Sequence, residues 1–269
     1  YEELINGFIL SGKRGNASFY KNSLNSLKGF TRNKLDIPFN DIDVKWLNKY
    51  EKWLRERGIK ETTLSILFRT LRSVYNKANE NGYVGKVENP FSKFKISKFN
   101  VKTRKRAISK EDIKRILEVD LSNTRHYVQL SRDIFIFSYL CGGINFVDMA
   151  HLKDSNIVEE NILHYKRRKT GKEMSIPLNE VALNLIKKYI GIRTSGNYYI
   201  FPILDPAKHK TDNQKNQRLH KVVGKVNPCL KKVAQLAEVE VNLTTYVLNL
   251  SKRLKQVDYS SFLSISGAS

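Results

Sequence analysis

Cysteine, histidine and methionine are scarce in this chain of 269 residues, which has 2, 5 and 2 of them. Cys141 and Cys229 stand in apolar surroundings without a paired spacing. We therefore expect two buried free thiols and a reducing, cytoplasmic location. Because the histidines are scattered as well, no Cys/His cluster predicts a structural zinc or any other metal site.

Long apolar runs are also missing. No stretch of the chain approaches the roughly 20 residues that a membrane span requires. The start, YEELINGFILSGKRG, lacks the ordered charged leader, apolar segment and cleavage site of a secretion signal. These two absences predict a protein that stays in the cytoplasm and has no membrane partner.

Acidic residues are the third shortage. The chain has 26 Asp and Glu against 48 Lys and Arg, a net charge of +22. Such an excess predicts a polyanionic partner, and nucleic acid is the commonest one. The basic residues are spread over both halves of the chain instead of lining one amphipathic helix, which disfavours an anionic membrane surface.

Apolar periodicity in the first hundred residues predicts three helices. The first follows a cap at Asn16 or Ser18, and the second opens at Asp43 and stops at Gly58. The third ends at Gly82.

One face of the third helix is apolar, and the other carries polar and basic residues. That second face includes Thr62, Arg69 and Arg72. It is consistent either with a solvated surface or with a helix that faces DNA, and the pattern alone leaves both interpretations open.

A basic segment follows Asn89-Pro90. Between Lys93 and Arg106, KFKISKFNVKTRKR has seven basic residues and no acidic one. Unpaired charge resists compact folding, so we predict an extended tether whose cations follow a phosphate backbone. The DNA contacts expected here are Lys102, Arg104, Lys105 and Arg106. A nuclear-targeting signal would fit the same residues.

A second domain is predicted to begin near Ala107, since Ser109-x-x-Asp112 is a capping-box pattern. Its central stretch, FIFSYLCGGINFVDMAHLK, begins as an apolar helix, breaks at Gly142-Gly143 and restarts before Asp148. This pattern is typical of a buried helix-turn-helix. The alternative is a turn that presents a catalytic group to DNA.

The period then changes to that of short strands. We predict strands at 156–157, 162–165 and 173–178, with a basic hairpin between the last two that places Arg167, Arg168 and Lys169 next to Gly171. Helices resume at Asn179, around Leu219 and around Leu230, and the polar segment 206–217 is interpreted as a mobile loop. The fold class is thus mainly α with a small antiparallel β-sheet.

This order of segments resembles the tyrosine recombinases, or phage integrases, especially those of mobile elements in Bacteroidetes-type bacteria. The likeness covers nearly the whole chain and rests on the motifs NPFSKFKI, KRAIS, SYLCGGINFVDMAHLK, YKRRKTGKEMSIPL, YIFPIL and LTTYV. It implies a helical, SAM-like core-binding domain over 1–97, a linker over 98–106 and a mixed α+β catalytic domain over 107–269 whose C-terminal part is incomplete.

The resemblance also implies a chemistry. In this family a tyrosine attacks the scissile phosphate of double-stranded DNA without metal or other cofactor, while two arginines and a lysine hold the phosphate. Guanidinium groups match the charge that a pentacoordinate phosphate gains. Lys169 matches the family's hairpin lysine, Asp148 matches a position that supports the turn, and Tyr246 in LTTYV matches the start of the second-arginine motif.

Several positions depart from the family pattern. Gly142 stands where the first arginine belongs, and Asn249 and Leu250 stand where an arginine and a histidine are expected. Beyond Val247 the likeness stops, which suggests a truncation or frame shift, and Tyr259 is the only tyrosine left as a nucleophile. We therefore expect an impaired integrase that binds DNA.

Two alternatives remain open. The first is an active recombinase that uses substitutes such as Lys252 or Arg253, or groups from a partner protomer. The second is a helical, non-catalytic regulator. A homo-oligomer on DNA is compatible with each of these readings.

Overall fold

The structure is a computed structural model that describes residues 1–101 and 108–245. The chain divides into two compact units, Tyr1–Arg104 and Lys105–Ser269. None of the helices in the described part combines the length and apolarity needed to cross a membrane.

The N-terminal unit is helical. Its helices are α1 (Glu2–Leu10), α2 (Arg14–Phe30), α3 (Val44–Glu56), α4 (Glu61–Glu80) and the short α5 (Pro90–Lys93), with 3₁₀ turns at Phe39–Asp41 and Ile96–Lys98. Asp43 caps α3 as expected, because its Oδ1 accepts the Trp46 N–H at 2.7 Å. By contrast, α2 begins at Arg14 without a side-chain cap, so the caps predicted at Asn16 and Ser18 are wrong.

The centre of this unit is an aromatic core that also takes in the start of the predicted tether. Phe68 on α4 stacks against Phe94 and Phe99, with ring centroids 4.8 and 5.3 Å apart. Both partners are buried, as is Ile96 between them. An extended tether from Lys93 is therefore wrong for 93–99, because three apolar side chains in that stretch outweigh its charge.

The C-terminal unit is mixed. Its helices are α6 (Lys110–Glu118), α7 (His126–Leu140), α8 (Phe146–Ala150), α9 (Glu180–Gly191) and α10 (Asp212–Leu236). Its strands are β1 (Ile157–Val158), β2 (Ile162–Lys166) and β3 (Glu173–Pro177), and they form one antiparallel sheet in the order β1-β2-β3. The predicted fold class, mainly α with a small antiparallel sheet, is confirmed.

Helix α7 lies at the centre of this unit. Nearly every residue from Val128 to Leu140 is buried, including the carboxylate of Asp133. That carboxylate accepts hydrogen bonds from Arg132 Nε, Lys188 Nζ and Tyr189 OH at 2.8, 2.7 and 2.8 Å. A buried charge is tolerated only when it is paired. Because Lys188 and Tyr189 belong to α9, their bonds to Asp133 also fix α9 against α7.

Helix α10 packs along α7, and its buried residues include Leu219, Val222 and Val226. It is a single helix, whereas the sequence predicted a loop over 206–217 followed by two helices. Thr211 and Gln214 form a capping box that starts the helix inside the supposed loop. Pro228 does not break it, because Pro228 and Gly224 lie on the exposed face, where water can satisfy the freed carbonyl.

The two thiols differ in burial. Cys141 is buried, and burial raises the pKa of its thiol far above the ordinary value. Cys229 on α10 is only half-buried, so the prediction of burial is wrong there. Both are free.

Candidate nucleic-acid interface

The turn between α7 and α8 forms the first part of the candidate site. Gly142 and Gly143 have φ angles of 63° and 77°, which glycine adopts without strain. Ser138 Oγ closes the turn by donating to the Ile144 carbonyl at 2.6 Å. Gly142 is exposed, and a Cβ added there would meet no described atom within 4 Å. The turn thus opens to free space at the position where the family resemblance expects an arginine.

Asp148 connects this turn to the β2–β3 hairpin. Its backbone N–H donates to Asn145 Oδ1 at 2.9 Å, and the Asn145 side-chain amide donates back to the Asp148 carboxylate. The other carboxylate oxygen, Oδ1, accepts the Arg168 N–H at 3.0 Å. Arg167 Nε lies 3.9 Å from Oδ2, the oxygen that Asn145 contacts. Because Asp148 is only 3% exposed, these bonds are shielded from water and hold the two segments together.

The hairpin places three basic side chains next to one another. Gly171, with φ 69°, donates its N–H to the Arg167 carbonyl at 2.8 Å and closes the connection. Arg168 and Lys169 are exposed, and no described carboxylate lies within 4.0 Å of either cation. Arg167 is half-buried and faces Asp148, which leaves less of its charge for an external ligand.

Arg69 and Arg72 lie on α4, in the N-terminal unit, and they are exposed like Thr62. The two arginines border a cleft of about 470 Å³ that α1 lines from the other side with Leu4 and Phe8. Within the described residues, no carboxylate pairs with either guanidinium. The structure therefore presents this basic face as one wall of a cleft.

Five predicted site residues lie outside the described residues. They are Lys102, Arg104, Lys105, Arg106 and Tyr246. The residue before Tyr246, Thr245, donates its N–H to Asn227 Oδ1 on α10 at 3.1 Å, and Leu243 is fully buried.

His151 is a feature that the sequence did not single out. It follows α8, three residues after Asp148, and its Nδ1 lies 2.8 Å from the Val147 carbonyl. Burial lowers the pKa of the imidazole, and the nearby cations Arg168 and Lys215 lower it further. The i to i+3 spacing from Asp148 is the one signal that could have placed His151 near the hairpin.

Metal binding has no support in the part of the chain that the structure describes. No three His, Cys, Asp or Glu side chains are grouped there in a way that could hold an ion. The chemistry available to the site is that of cations and hydrogen-bond donors, which suits an anionic oxygen ligand.

Comparison with known proteins supports this description. Residues 1–96 match the family model of the phage integrase SAM-like domain. The tyrosine recombinase XerA of Pyrococcus furiosus is 26% identical over 150 residues, which are 55% of this chain and 48% of that protein. The match thus spans about half the length of this curated relative.

Three solved structures share the fold. A lambda integrase dimer bound to a COC′ core site has a TM-score of 0.64 at 16% identity, covering 94% of this chain and 88% of that one. A lambda integrase tetramer bound to a Holliday junction has a TM-score of 0.65 at 16% identity, covering 98% of this chain and 75% of that one. The Tn1549 transposon integrase in complex with circular intermediate DNA has a TM-score of 0.51 at 13% identity, covering 88% of this chain and 89% of that one.

The fold is accordingly that of the lambda-integrase-type tyrosine recombinases. The match to the integrase SAM-like domain and the similarity to the Xer relative agree with this fold. Together these findings show that the chain is similar to tyrosine recombinases in fold and in part of its sequence.

Proposed function

We propose that this protein binds duplex DNA as a tyrosine recombinase does, in the site-specific recombination or integration of a bacterial mobile element, and that it does not cleave DNA in this form. The observation that carries the proposal is the basic hairpin fixed by Asp148 beside a turn with glycine at position 142. The arrangement can grip a phosphate, but the turn supplies no guanidinium at Gly142.

Duplex DNA as the partner is supported by the charge and by the relatives. The net charge is +22, and the cations of Arg168 and Lys169 have no described carboxylate partner. Arg69 and Arg72 add a second such surface. The lambda and Tn1549 integrases of the same fold are complexes with DNA, and two of them are a dimer and a tetramer, which supports a homo-oligomer on DNA.

The roles that we propose for the segments of the chain are those of the corresponding segments in the family. Residues 1–97 serve as the core-binding domain, 98–106 as the linker and 107–269 as the catalytic-type domain. Within the last of these, Lys169 occupies the position of the proton-donating lysine, and Tyr246 begins the second-arginine motif. The Bacteroidetes-type mobile element is part of the same proposal.

Impaired catalysis follows from three substitutions of charged or proton-transferring groups. Gly142, Asn249 and Leu250 stand where the family places two arginines and a histidine. An asparagine donates a hydrogen bond but carries no charge and lacks the forked geometry of guanidinium. Removing one preorganised donor costs about 10²–10³ in rate, and several are replaced here together.

Covalent trapping tests the proposal. The protein is incubated with a nicked suicide duplex that carries the ends of its element, and samples are examined by gel shift and by denaturing electrophoresis. We expect a shifted complex and no covalent band. A covalent band that disappears in Tyr259→Phe would instead establish an active recombinase. Absence of any shift would overturn the assignment to DNA.

A further inference from the structure

The imidazole of His151 has a defined tautomer. A carbonyl oxygen only accepts hydrogen bonds, so the 2.8 Å contact with Val147 requires the proton on Nδ1. In the neutral ring, Nε2 then carries a lone pair. That Nε2 is buried and has no hydrogen-bond partner among the described residues. A buried polar atom without a partner is uncommon and calls for an explanation.

The surroundings of His151 are dominated by positive charge. Arg168 of the hairpin and Lys215 of α10 act on the ring as cations, and Asp148 of α8 opposes them. Tyr199 packs edge-on at 6.4 Å between ring centroids, and Asp212 acts on that tyrosine. No described carboxylate lies within 4.0 Å of the Arg168 or Lys215 cation.

The main chain of Arg168 is fixed, although its side chain is exposed. Its N–H is bound to Asp148 Oδ1 at 3.0 Å, and Asp148 belongs to the same short helix that precedes His151. Lys215 is half-buried in the first turn of α10, which the Thr211 capping box holds in place. Two cations from separate elements therefore act on one imidazole, and hydrogen bonds hold the main chain at Arg168 and the start of α10.

We infer that His151, Arg168 and Lys215 form an anion subsite that takes a backbone phosphate of duplex DNA, and that His151 gains a proton when the phosphate binds. The inference rests on the proposed DNA-binding function and adds a site and a pH dependence to it. The proton comes from solvent and bonds to Nε2. Because that atom is buried, the imidazolium attracts the phosphate by its charge, while the exposed Arg168 and the half-buried Lys215 make the direct contacts. No covalent bond to the DNA forms.

Electrostatics explains why the proton and the phosphate bind together. Without an anion, burial and two cations disfavour the imidazolium, which keeps its pKa below the ordinary value. A phosphate offsets both cations, so the pKa of bound His151 rises. Binding is therefore strongest below the free pKa and loses this contribution as pH rises through the bound pKa. Each unit by which the pKa of bound His151 exceeds that of free His151 makes Kd about tenfold lower at low pH than at high pH.

The direct test is the titration of His151 in the intact protein, followed by imidazole NMR between about pH 5.5 and 8.5. It is run without ligand and with a saturating short duplex at constant ionic strength. We expect the pKa of His151 to rise by about one unit or more with DNA.

Three variants separate this subsite from general attraction. His151→Gln should flatten the pH dependence of Kd, whereas His126→Gln should retain it. Lys215→Met should lower the salt slope by about one phosphate contact. Lys221→Met is the matched control, since Lys221 is exposed on α10 and does not appear among the groups that act on His151.

The outcomes distinguish the two proposals. If the duplex binds while the pKa of His151 stays constant or falls, the subsite is wrong and the DNA-binding function stands. If the duplex does not bind at any pH in the range, both proposals are overturned. A raised pKa with normal DNA affinity in Lys215→Met would remove Lys215 from the subsite.

Discussion

The two basic surfaces of this protein differ in what fixes their side chains. On α4, Arg69 and Arg72 project from an ordinary helix into a cleft whose far wall, α1, has no buried residue. On the β2–β3 hairpin, the basic residues depend on Asp148, a buried carboxylate that binds the hairpin backbone. One surface is held by helix geometry alone, and the other by a specific buried acceptor.

The two surfaces can therefore bind a phosphate in different ways. Flexible cations on a helix contribute through charge and counterion release, and they tolerate shifts of position. Cations on a fixed hairpin can be aimed at one phosphate, which is what transition-state stabilisation requires. We expect substitutions near the hairpin to act through geometry and those on α4 to act through charge number.

Asp148→Ala should have the largest effect. It removes the acceptor of the Arg168 N–H and the partner of the Asn145 amide, both in a site shielded from water. Breaking such a buried network should lower the free energy of unfolding by about 3 kcal/mol. Chemical denaturation measures it.

Asp154→Ala is the matched control. Asp154 pairs with Arg193 at 2.6 Å, but its side chain is 44% exposed, so the loss should stay below about 1 kcal/mol. Equal losses in the two variants would mean that Asp148 is not a special anchor and that the contrast between the surfaces fails.

Local signals made much of the fold predictable. Asp43, Ser109 and Asn179 each cap the helix that was expected to follow them, with hydrogen bonds to backbone N–H groups. The glycine break at 142–143 and the alternation in β3 were equally readable. These features are fixed by residues close in sequence, which is why pattern alone identifies them.

Features that depend on distant partners were not predictable in this way. The charge of 93–99 suggested an exposed tether, yet Phe94 and Phe99 bury against Phe68. Likewise, no local pattern around His151 indicates that Arg168 and Lys215 act on its imidazole. Periodicity indicates the buried face of one helix, whereas such clusters join residues that are distant in sequence.

Neutralising the cations of the proposed linker should change DNA binding more than neutralising those of α4 or of the β2–β3 hairpin. Substituting Lys102, Arg104, Lys105 and Arg106 with glutamine should flatten the salt dependence of binding by up to about four phosphate contacts, each about 0.9 in the logarithmic slope. Lys114→Gln, whose ammonium lies 3.8 Å from Glu118, should leave the slope nearly unchanged. An unaltered slope in the quadruple variant would place this run away from DNA.

The α4 surface should respond in proportion to its smaller charge. Arg69→Ala with Arg72→Ala should reduce the salt slope by about two contacts, while the free energy of unfolding stays within about 0.5 kcal/mol because both side chains are exposed. Lys77→Ala is the control on the same helix, since Lys77 pairs with Glu80 at 3.1 Å. If the double variant keeps the parental slope, the α4 face is a solvated surface.

The smallest expected effect is on stability, and it distinguishes the backbone conformation of Gly142 from the space available to a side chain there. Gly142→Ala meets no described neighbour within 4 Å, but its φ of 63° disfavours any side chain, so we expect a loss of about 1 kcal/mol in the free energy of unfolding. Gly224→Ala in α10 also meets open space and has no positive φ, so it should stabilise by roughly 0.5–1 kcal/mol. Thermal denaturation of the two variants should therefore shift in opposite directions. A stabilised Gly142→Ala would show that the turn relaxes freely. Destabilisation would mean that an arginine introduced at this position meets open space at its Cβ but carries a backbone cost from the turn itself.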